Sequence, residues 1–258
     1  MNQAIKAETV EGAFFIKLND AKAYPGMFEA EIKGLKLLGD HGTAPVPEAL
    51  LTGSAGDISY LVLRWIEEER KAPGFWEDFG AGLGRLHRNT GTFFGLDHNN
   101  YIGLLPQSNA NHSTWTDFFI QQRLEPQIRD VYNARKCDSS LVRRFENLYR
   151  KLDELFPPEP PALLHGDLWS GNFMAGPQGV VYLIDPAVYY GHREMDIAMT
   201  RLFGGFEKSF YEGYHEENPL EKGFESRTDI CNLYPLLVHV NLFGGSYQNQ
   251  VEEIIKKF

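Results

Sequence analysis

Two carboxylates and an amide, Asp167, Asn172 and Asp185, fall within one stretch of the chain, LLHGDLWSGNFMAGPQGVVYLIDPA over residues 163–187. Phosphoryl transfer from a nucleotide to an alcohol needs such a set. One Asp orients the attacking hydroxyl and can take its proton. An Asn and a second Asp hold the magnesium ions that neutralise the phosphate oxygens. Asp and Asn also favour turns, and a lone Asp-x4-Asn would carry no more than that. Here the pair lies between two short apolar runs, 163–164 and 180–184, that read as strands. His165 stands beside the first carboxylate, and Asp185 ends the second run.

The spacing is that of the protein-kinase catalytic loop, H-R-D-L-x-x-x-N. His165-Gly166-Asp167-Leu168 followed by Asn172 repeats it with Gly in place of Arg, and Asp185-Pro186-Ala187 stands where that family has the metal-binding D-F-G. Asp167 is therefore expected to be the catalytic residue, with Asn172 and Asp185 as metal ligands. His165 is expected to brace the loop rather than to exchange protons, and His87 to be a core or surface residue. Upstream, Lys17 sits near the end of the apolar run 13–18, and Glu31 lies beside the apolar stripe of the helical pattern 27–38. They are expected to form the ion pair whose lysine contacts the α- and β-phosphates. The backbone of Arg64, Trp65 and Ile66, at the end of a strand pattern over 60–66, is expected to meet the adenine edge. Gly80-Ala81-Gly82-Leu83-Gly84 resembles a nucleotide loop only loosely. It falls inside a helical pattern and does not match G-x-G-x-x-G, so close helix packing is expected.

These residues need elements to position them. Strands are expected at 4–10, 13–18, 50–52 and 60–66, with a turn at 53–57. Helices are expected at 27–38, 76–90, 115–134, 139–156, 194–214 and 226–243, the fourth of them stopped by the proline-rich stretch 157–161. The layout predicts an α+β fold with two lobes. Residues 1–66 form a β-rich lobe holding one helix, residues 67–258 a larger, mainly helical lobe, and a cofactor lies in the cleft between them.

Composition limits the alternatives. The chain has 258 residues, 43% hydrophobic and 13% aromatic, and can bury a core without disulfides. Its formal net charge of −10 argues against a nucleic-acid footprint and against a polybasic membrane contact. Cys137 and Cys231 are too few for a disulfide framework or a Cys-rich zinc site. No apolar run reaches the ~20 residues of a membrane span, and the N-terminus lacks the apolar core of a signal peptide. A cytoplasmic protein is expected.

HGDLWSGN followed by IDPA resembles the aminoglycoside-phosphotransferase and choline-kinase superfamily, whose fold is protein-kinase-like. ALLHGDLWSGN, IDPAVYYGHREMDIAM, LFGGFEKSFYEGYHE, VNLFGGSY and YIGLLPQSN…W…FFIQQRLEPQI narrow the resemblance to the fructosamine kinase (ketosamine 3-kinase) family. The resemblance implies ATP and magnesium, and phosphorylation of the third sugar hydroxyl of a ketosamine, either a small molecule or a glycated protein lysine. The product breaks down and restores the amine. It places Trp169 at the sugar site, with His239 and Tyr189 as weaker candidates. Relatives carry a further strand and a Gly-rich turn before the position of Met1. Asn2-Gln3-Ala4 resembles the tail of that turn, and weak nucleotide binding is expected of a chain without it. Two other readings remain: a kinase for another alcohol, such as an aminoglycoside or amino sugar, and a nucleotide-binding relative that has lost turnover.

Overall fold

Two strand-forming runs separated by the turn signal Glu11-Gly12 fold the N-terminal stretch back on itself. In the computed structural model, which describes residues 3–41 and 44–258, β1 (Gln3–Thr9) and β2 (Gly12–Asp20) form that hairpin. With β3 (Ala49–Ala55) and β4 (Ile58–Arg64) they make an antiparallel sheet in the order β1-β2-β4-β3. The turn predicted over 53–57 is tighter than expected, because β3 runs through Gly53 to Ala55. Asn2 of the segment likened to a loop tail lies outside the described residues, while Gln3 and Ala4 belong to β1. Helix α1 (Met27–Asp40) lays Met27, Phe28 and Leu35 against Leu61 and Leu63 of β4, a small apolar cluster.

The remainder is mainly helical around a much larger core. It contains α2 (Phe75–Leu86), the hairpin β5 (Asn100–Ile102) and β6 (Leu105–Gln107), and α3 (Trp115–Phe118). A π-helical turn, Phe119–Leu124, leads into α4 (Glu125–Asn133), α5 (Ser139–Tyr149) and α6 (Leu152–Leu155). The short strands β7 (Ala162–Leu164), β8 (Phe173–Ala175), β9 (Val181–Leu183) and β10 (Tyr189–Gly191) follow. Helices α7 (Glu194–Leu202), α8 (Lys208–Glu217), α9 (Phe224–Phe243) and α10 (Ser246–Ile255) complete the order.

Several of the expected long helices are broken. The pattern over 115–134 is interrupted by the π-helical turn, which widens the backbone where Arg123 turns inward. The pattern over 139–156 breaks at residues 150–151, and that over 194–214 at Gly204-Gly205, both glycines with positive φ. The helix expected over 76–90 ends at Leu86. The two runs flanking the catalytic stretch are strands but not partners: β7 pairs with β10, and β9 with β8. The glycines of α2 do serve packing. A Cβ at Gly80 would lie 1.9 Å from the Phe210 carbonyl oxygen, and one at Gly213 2.3 Å from that of Glu77, so α2 and α8 meet backbone to backbone.

Candidate active site

The β7–β10 pair and the β8–β9 hairpin hold the ends of the catalytic stretch in fixed register. Between them the chain turns at Gly166, φ +81°, where a Cβ would lie 2.1 Å from the Ala187 carbonyl oxygen. That contact excludes the Arg of the protein-kinase motif at this position. His165 and Ala187 close the turn through an amide hydrogen bond, Ala187 N to His165 O, of 2.9 Å.

Asp167 and Asn172 meet directly. Asn172 Nδ2 donates to the Asp167 backbone oxygen at 2.7 Å and to its Oδ2 at 2.8 Å. This commits the amide nitrogen and leaves Oδ1 of Asn172 as the atom available to a cation. Burial pushes the Asp167 carboxyl up to about 7, helped by the charges of Asp185 and Asp196 and opposed by the Asn172 hydrogen bond. Asp185 stands at the exposed mouth with φ +52°, a left-handed conformation that costs a non-glycine residue ~1 kcal/mol or more.

Lys17 and Glu31 also come together as expected, and Asp185 joins them. Lys17 Nζ is 2.5 Å from Glu31 Oε1 and 2.6 Å from Asp185 Oδ1. Burial alone pulls the Lys17 ammonium down, but the two carboxylates outweigh it and hold its pKa above the ordinary value. Burial also pushes the Glu31 carboxyl up, against the pull of Lys17. With a second carboxylate alongside, the ammonium is the form that persists. One lysine on the N-terminal sheet thus touches the helix behind it and the loop across the cleft.

The loop is held from beneath by a residue that sequence reasoning did not single out. Asp196, on α7, accepts from the backbone N–H groups of His165 at 2.8 Å and Gly166 at 2.9 Å. It also meets His87 Nε2 at 3.2 Å, and His87 Nδ1 lies 2.8 Å from the Tyr214 hydroxyl. Burial pushes Asp196 up, but these partners outweigh it and its pKa stays below the ordinary value. The only trace of this role in the sequence is Asp196 within the motif EMDIAM. His87, expected in the core or on the surface, is buried and positions Asp196. His165 braces the loop: its Nε2–H donates to the Ile184 carbonyl at 3.0 Å, and Nδ1 accepts from the Asp167 N–H at 3.3 Å. Burial holds the imidazole below its ordinary pKa, against the pull of Asp196, so it is neutral near pH 7.

Other expected contacts are distributed differently. The Arg64 amide donates to Glu48 O and the Trp65 amide to Ala13 O, so neither N–H is free for a purine, while Ile66 follows at the strand end. The Arg64 side chain turns outward to Glu48 at 2.6 Å. Trp169 is 38% exposed and Trp169, Phe203 and His239 lie in one chain of ring contacts. Tyr189 is not at the cleft surface. It is buried in β10 and stacks on Phe118, with the Arg123 guanidinium 4.0 Å over its ring. Its place is in the floor under Gly166, whose Cβ position is 3.2 Å from the Tyr189 ring. A substrate contact from Tyr189 is therefore corrected to a supporting one. A cleft of about 610 Å³ between Lys33 and Lys36 of α1 and the loop 91–98 contains none of the expected site residues.

Among the described residues no helix is long and apolar enough to cross a membrane. The family described as fructosamine kinase matches residues 1–258. A Synechocystis protein described as a probable ketoamine kinase is 40% identical over 259 residues, spanning 100% of this chain and 86% of its own length. A crystal structure from Thermobifida fusca, provisionally named a fructosamine-3-kinase, shares 36% identity with a TM-score of 0.89, over 99% of this chain and 88% of that one. A choline/ethanolamine kinase family protein from Mesorhizobium loti has the same fold at 13% identity, with a TM-score of 0.58 over 99% of this chain and 86% of that one.

Proposed function

Because the chain belongs to the fructosamine kinase family, we propose that it transfers the γ-phosphoryl of ATP to the 3-hydroxyl of ketosamines, leading to deglycation. It is a phosphotransferase acting on a sugar hydroxyl, with a protein-kinase-like fold. The observation that carries the reading is the convergence of Lys17, Glu31 and Asp185 with the Asp167–Asn172 pair, two halves of one site far apart in the chain.

Asp167 is assigned as the catalytic residue. Its carboxylate lies on a loop fixed from beneath by Asp196, so it can orient the 3-hydroxyl and take its proton as the phosphoryl group moves. Lys17 binds the α- and β-phosphates, and Glu31 orients it. The boundary between the nucleotide-binding and catalytic parts is placed at residues 66–67. Ile66, with the carbonyls of Arg64 and Trp65, would meet the adenine edge.

Magnesium fits the oxygen donors present. Asn172 Oδ1 and the exposed Asp185 carboxylate are the hard ligands such a cation takes, and Asn172 has its nitrogen committed to Asp167. When bound, it neutralises the phosphate oxygens. Trp169 walls the sugar, with His239 behind Phe203. The open face beside Trp169 suits a glycated protein lysine as well as a small ketosamine. A cytoplasmic setting, where ATP is supplied and thiols stay reduced, agrees with the free Cys137 and Cys231.

The test is ATP consumption with a panel of fructose- and ribose-derived amines beside aminoglycosides. ADP formation that depends on the ketosamines, with little or none on aminoglycosides, is the expected result. Efficient aminoglycoside phosphorylation with inert ketosamines would replace this reading with that of a kinase for another alcohol.

A further inference from the structure

The strand pair β5–β6 belongs by sequence to the helical lobe, yet it touches both halves of the proposed site. Alternation along β5 sorts its side chains to two sides. Asn100 and Ile102 are buried, and Tyr101 between them turns toward α1. There the Tyr101 hydroxyl donates to the Pro25 carbonyl at 2.9 Å, just before the helix begins. Its ring meets that of Tyr24 edge to face at 6.4 Å. Leu104, in the turn of the hairpin, packs with Tyr101 on the apolar cluster that seats α1 on β4.

The buried edge of the hairpin holds the segment that follows Asp185. Asn100 Nδ2 donates to the Val188 carbonyl at 2.8 Å, and Gln107 Nε2 to the Ala187 carbonyl at 3.2 Å. The two amides also fix each other. Gln107 Nε2 donates to Asn100 Oδ1 at 2.8 Å, and Asn109 Nδ2 donates to the same oxygen at 2.9 Å. The Tyr234 hydroxyl donates to Gln107 Oε1 at 2.6 Å, and Arg123 to Asn109 Oδ1 at 2.7 Å. Asn100, Gln107 and Asn109 are all buried. Burying amides is costly unless each is hydrogen-bonded, and a network satisfied in this way specifies one arrangement of the backbone it grips. That backbone lies two and three residues after Asp185, whose φ of +52° persists only under support from both sides. The Ile184 amide is tied to Asn172 O and the Ala187 amide to His165 O. The hairpin takes the carbonyls of Ala187 and Val188. Val188 also supports α1, since a Cβ at Gly34, one turn after Glu31, would lie 3.2 Å from Val188 Cγ2.

We propose that the β5–β6 hairpin sets α1 against the Asp185 turn, with Asn100 and Gln107 as positioning residues for the Asp185 carboxylate and Tyr101 as a positioning residue for Lys17 through Glu31. The inference rests on the nucleotide and metal roles assigned above. The hairpin joins α1 and the Asp185 turn into one body, so the contact of Lys17 with Glu31 and Asp185 is preset rather than assembled when the nucleotide arrives. Its two edges act on different parts of the binding. The buried edge governs what Asp185 contributes, which requires magnesium. The Tyr101 edge governs what Lys17 contributes, which does not.

The test is calorimetric titration of a non-hydrolysable ATP analogue into wild type, Gln107→Met, Tyr234→Phe and Tyr101→Phe, with magnesium and with EDTA, below each melting temperature. Wild type should bind more tightly with magnesium, and the ratio of its two dissociation constants is the readout. A purely structural loss lowers the melting temperature without moving that ratio. Gln107→Met keeps the volume but removes the hydrogen bonds to Ala187, Asn100 and Tyr234, and should shrink the ratio about fivefold or more. Tyr234→Phe loosens the same amide by one hydroxyl and should shrink it about twofold, which keeps the proposal testable if Gln107→Met does not fold. Tyr101→Phe should weaken binding between about twofold and tenfold in both media and leave the ratio alone. Folded variants with wild-type constants in both media would reduce the hairpin to packing and leave the kinase reading standing. A ratio lowered by Tyr101→Phe but kept by the other two would overturn the division between the edges. A wild type that binds the analogue no better with magnesium would overturn the metal role of Asp185, and that of Gln107 with it.

Discussion

The segment from β7 to α7 and the N-terminal sheet each supply half of the proposed site, and they are built in opposite ways. The former is sunk in the large core. His165, Asp196 and Glu194 are buried, and the loop backbone is pinned by a carboxylate below it. The sheet rests on α1 through a five-residue apolar cluster, and β1 is exposed along almost its whole length. A group that must hold an attacking oxygen within a fraction of an ångström needs the first kind of support. A lysine that follows a flexible phosphate chain can work from the second. The contrast teaches that substitutions on the two sides should separate kinetically, into turnover on one and nucleotide affinity on the other.

The largest effect should come from Asp167→Asn, which keeps shape but cannot accept the proton. Turnover should fall ~10²–10⁴-fold while nucleotide binding changes little. Steady-state kinetics with a parallel ATP titration checks both halves, and turnover within a few-fold of wild type would remove Asp167 from the role. Next, Asp196→Asn sharpens the claim of support from beneath. An amide can accept from the His165 and Gly166 N–H groups with one atom only and turns a donor toward the others. Turnover should drop on the order of 10²-fold, the scale of a misplacement near 1 Å. Thermal unfolding should show a loss of ~2–3 kcal/mol, that of hydrogen bonds to a buried charge. An intact turnover would mean that the loop holds its shape unaided.

The N-terminal side should respond differently. Lys17→Met removes a charge-assisted contact to phosphate, and the KM for ATP should rise ~10–10²-fold, with a smaller change in kcat. A fall confined to kcat would erase the proposed contrast. The pH dependence is a gentler probe. In its proposed role Asp167 must be ionised, and its pKa is raised by burial to about 7, so activity should be present above that pKa and lost as pH falls through it. Positive charge bound at Asp185 acts downward. The acid limb of kcat/KM for the sugar should therefore lie between the ordinary carboxylate value near ~4 and about 7. A profile flat to pH 4 would contradict an elevated Asp167. The smallest effects separate two glycines of positive φ. Gly56→Ala, in the open turn between β3 and β4, should cost only ~1 kcal/mol. Gly166→Ala, aimed at the Ala187 carbonyl, should cost clearly more, and equal melting temperatures would count against a tightly packed catalytic loop.

Much of this was legible from side-chain type and spacing. Asp167 and Asn172 stand at the separation that their hydrogen bond requires, and Lys17 and Glu31 are placed by a strand and a helix whose periodicities are plain. What stayed hidden depends on packing. Asp196 acts on backbone N–H groups far from it in sequence, and nothing local distinguishes it from a capping Asp. Tyr189 looked available because its motif surrounds the site, yet β10 turns it under the loop, where Arg123 covers it. Strands of three residues such as β8 and β10 are too short to show alternation. The π-helical turn at Phe119–Leu124 follows from where Arg123 must go rather than from any breaker residue.

Transfer to the 3-hydroxyl with Asp167 as base is tested by finding which oxygen receives the phosphate. A fructosamine labelled with carbon-13 can be incubated with ATP, magnesium and either wild type or Asp167→Asn, and followed by phosphorus and carbon NMR. One new phosphomonoester, coupled through oxygen to C3, is expected. It should form in step with ADP, decay with release of the free amine, and be lost or greatly slowed in the variant. Phosphate on another carbon, or the same product formed at the same rate by Asp167→Asn, would contradict it.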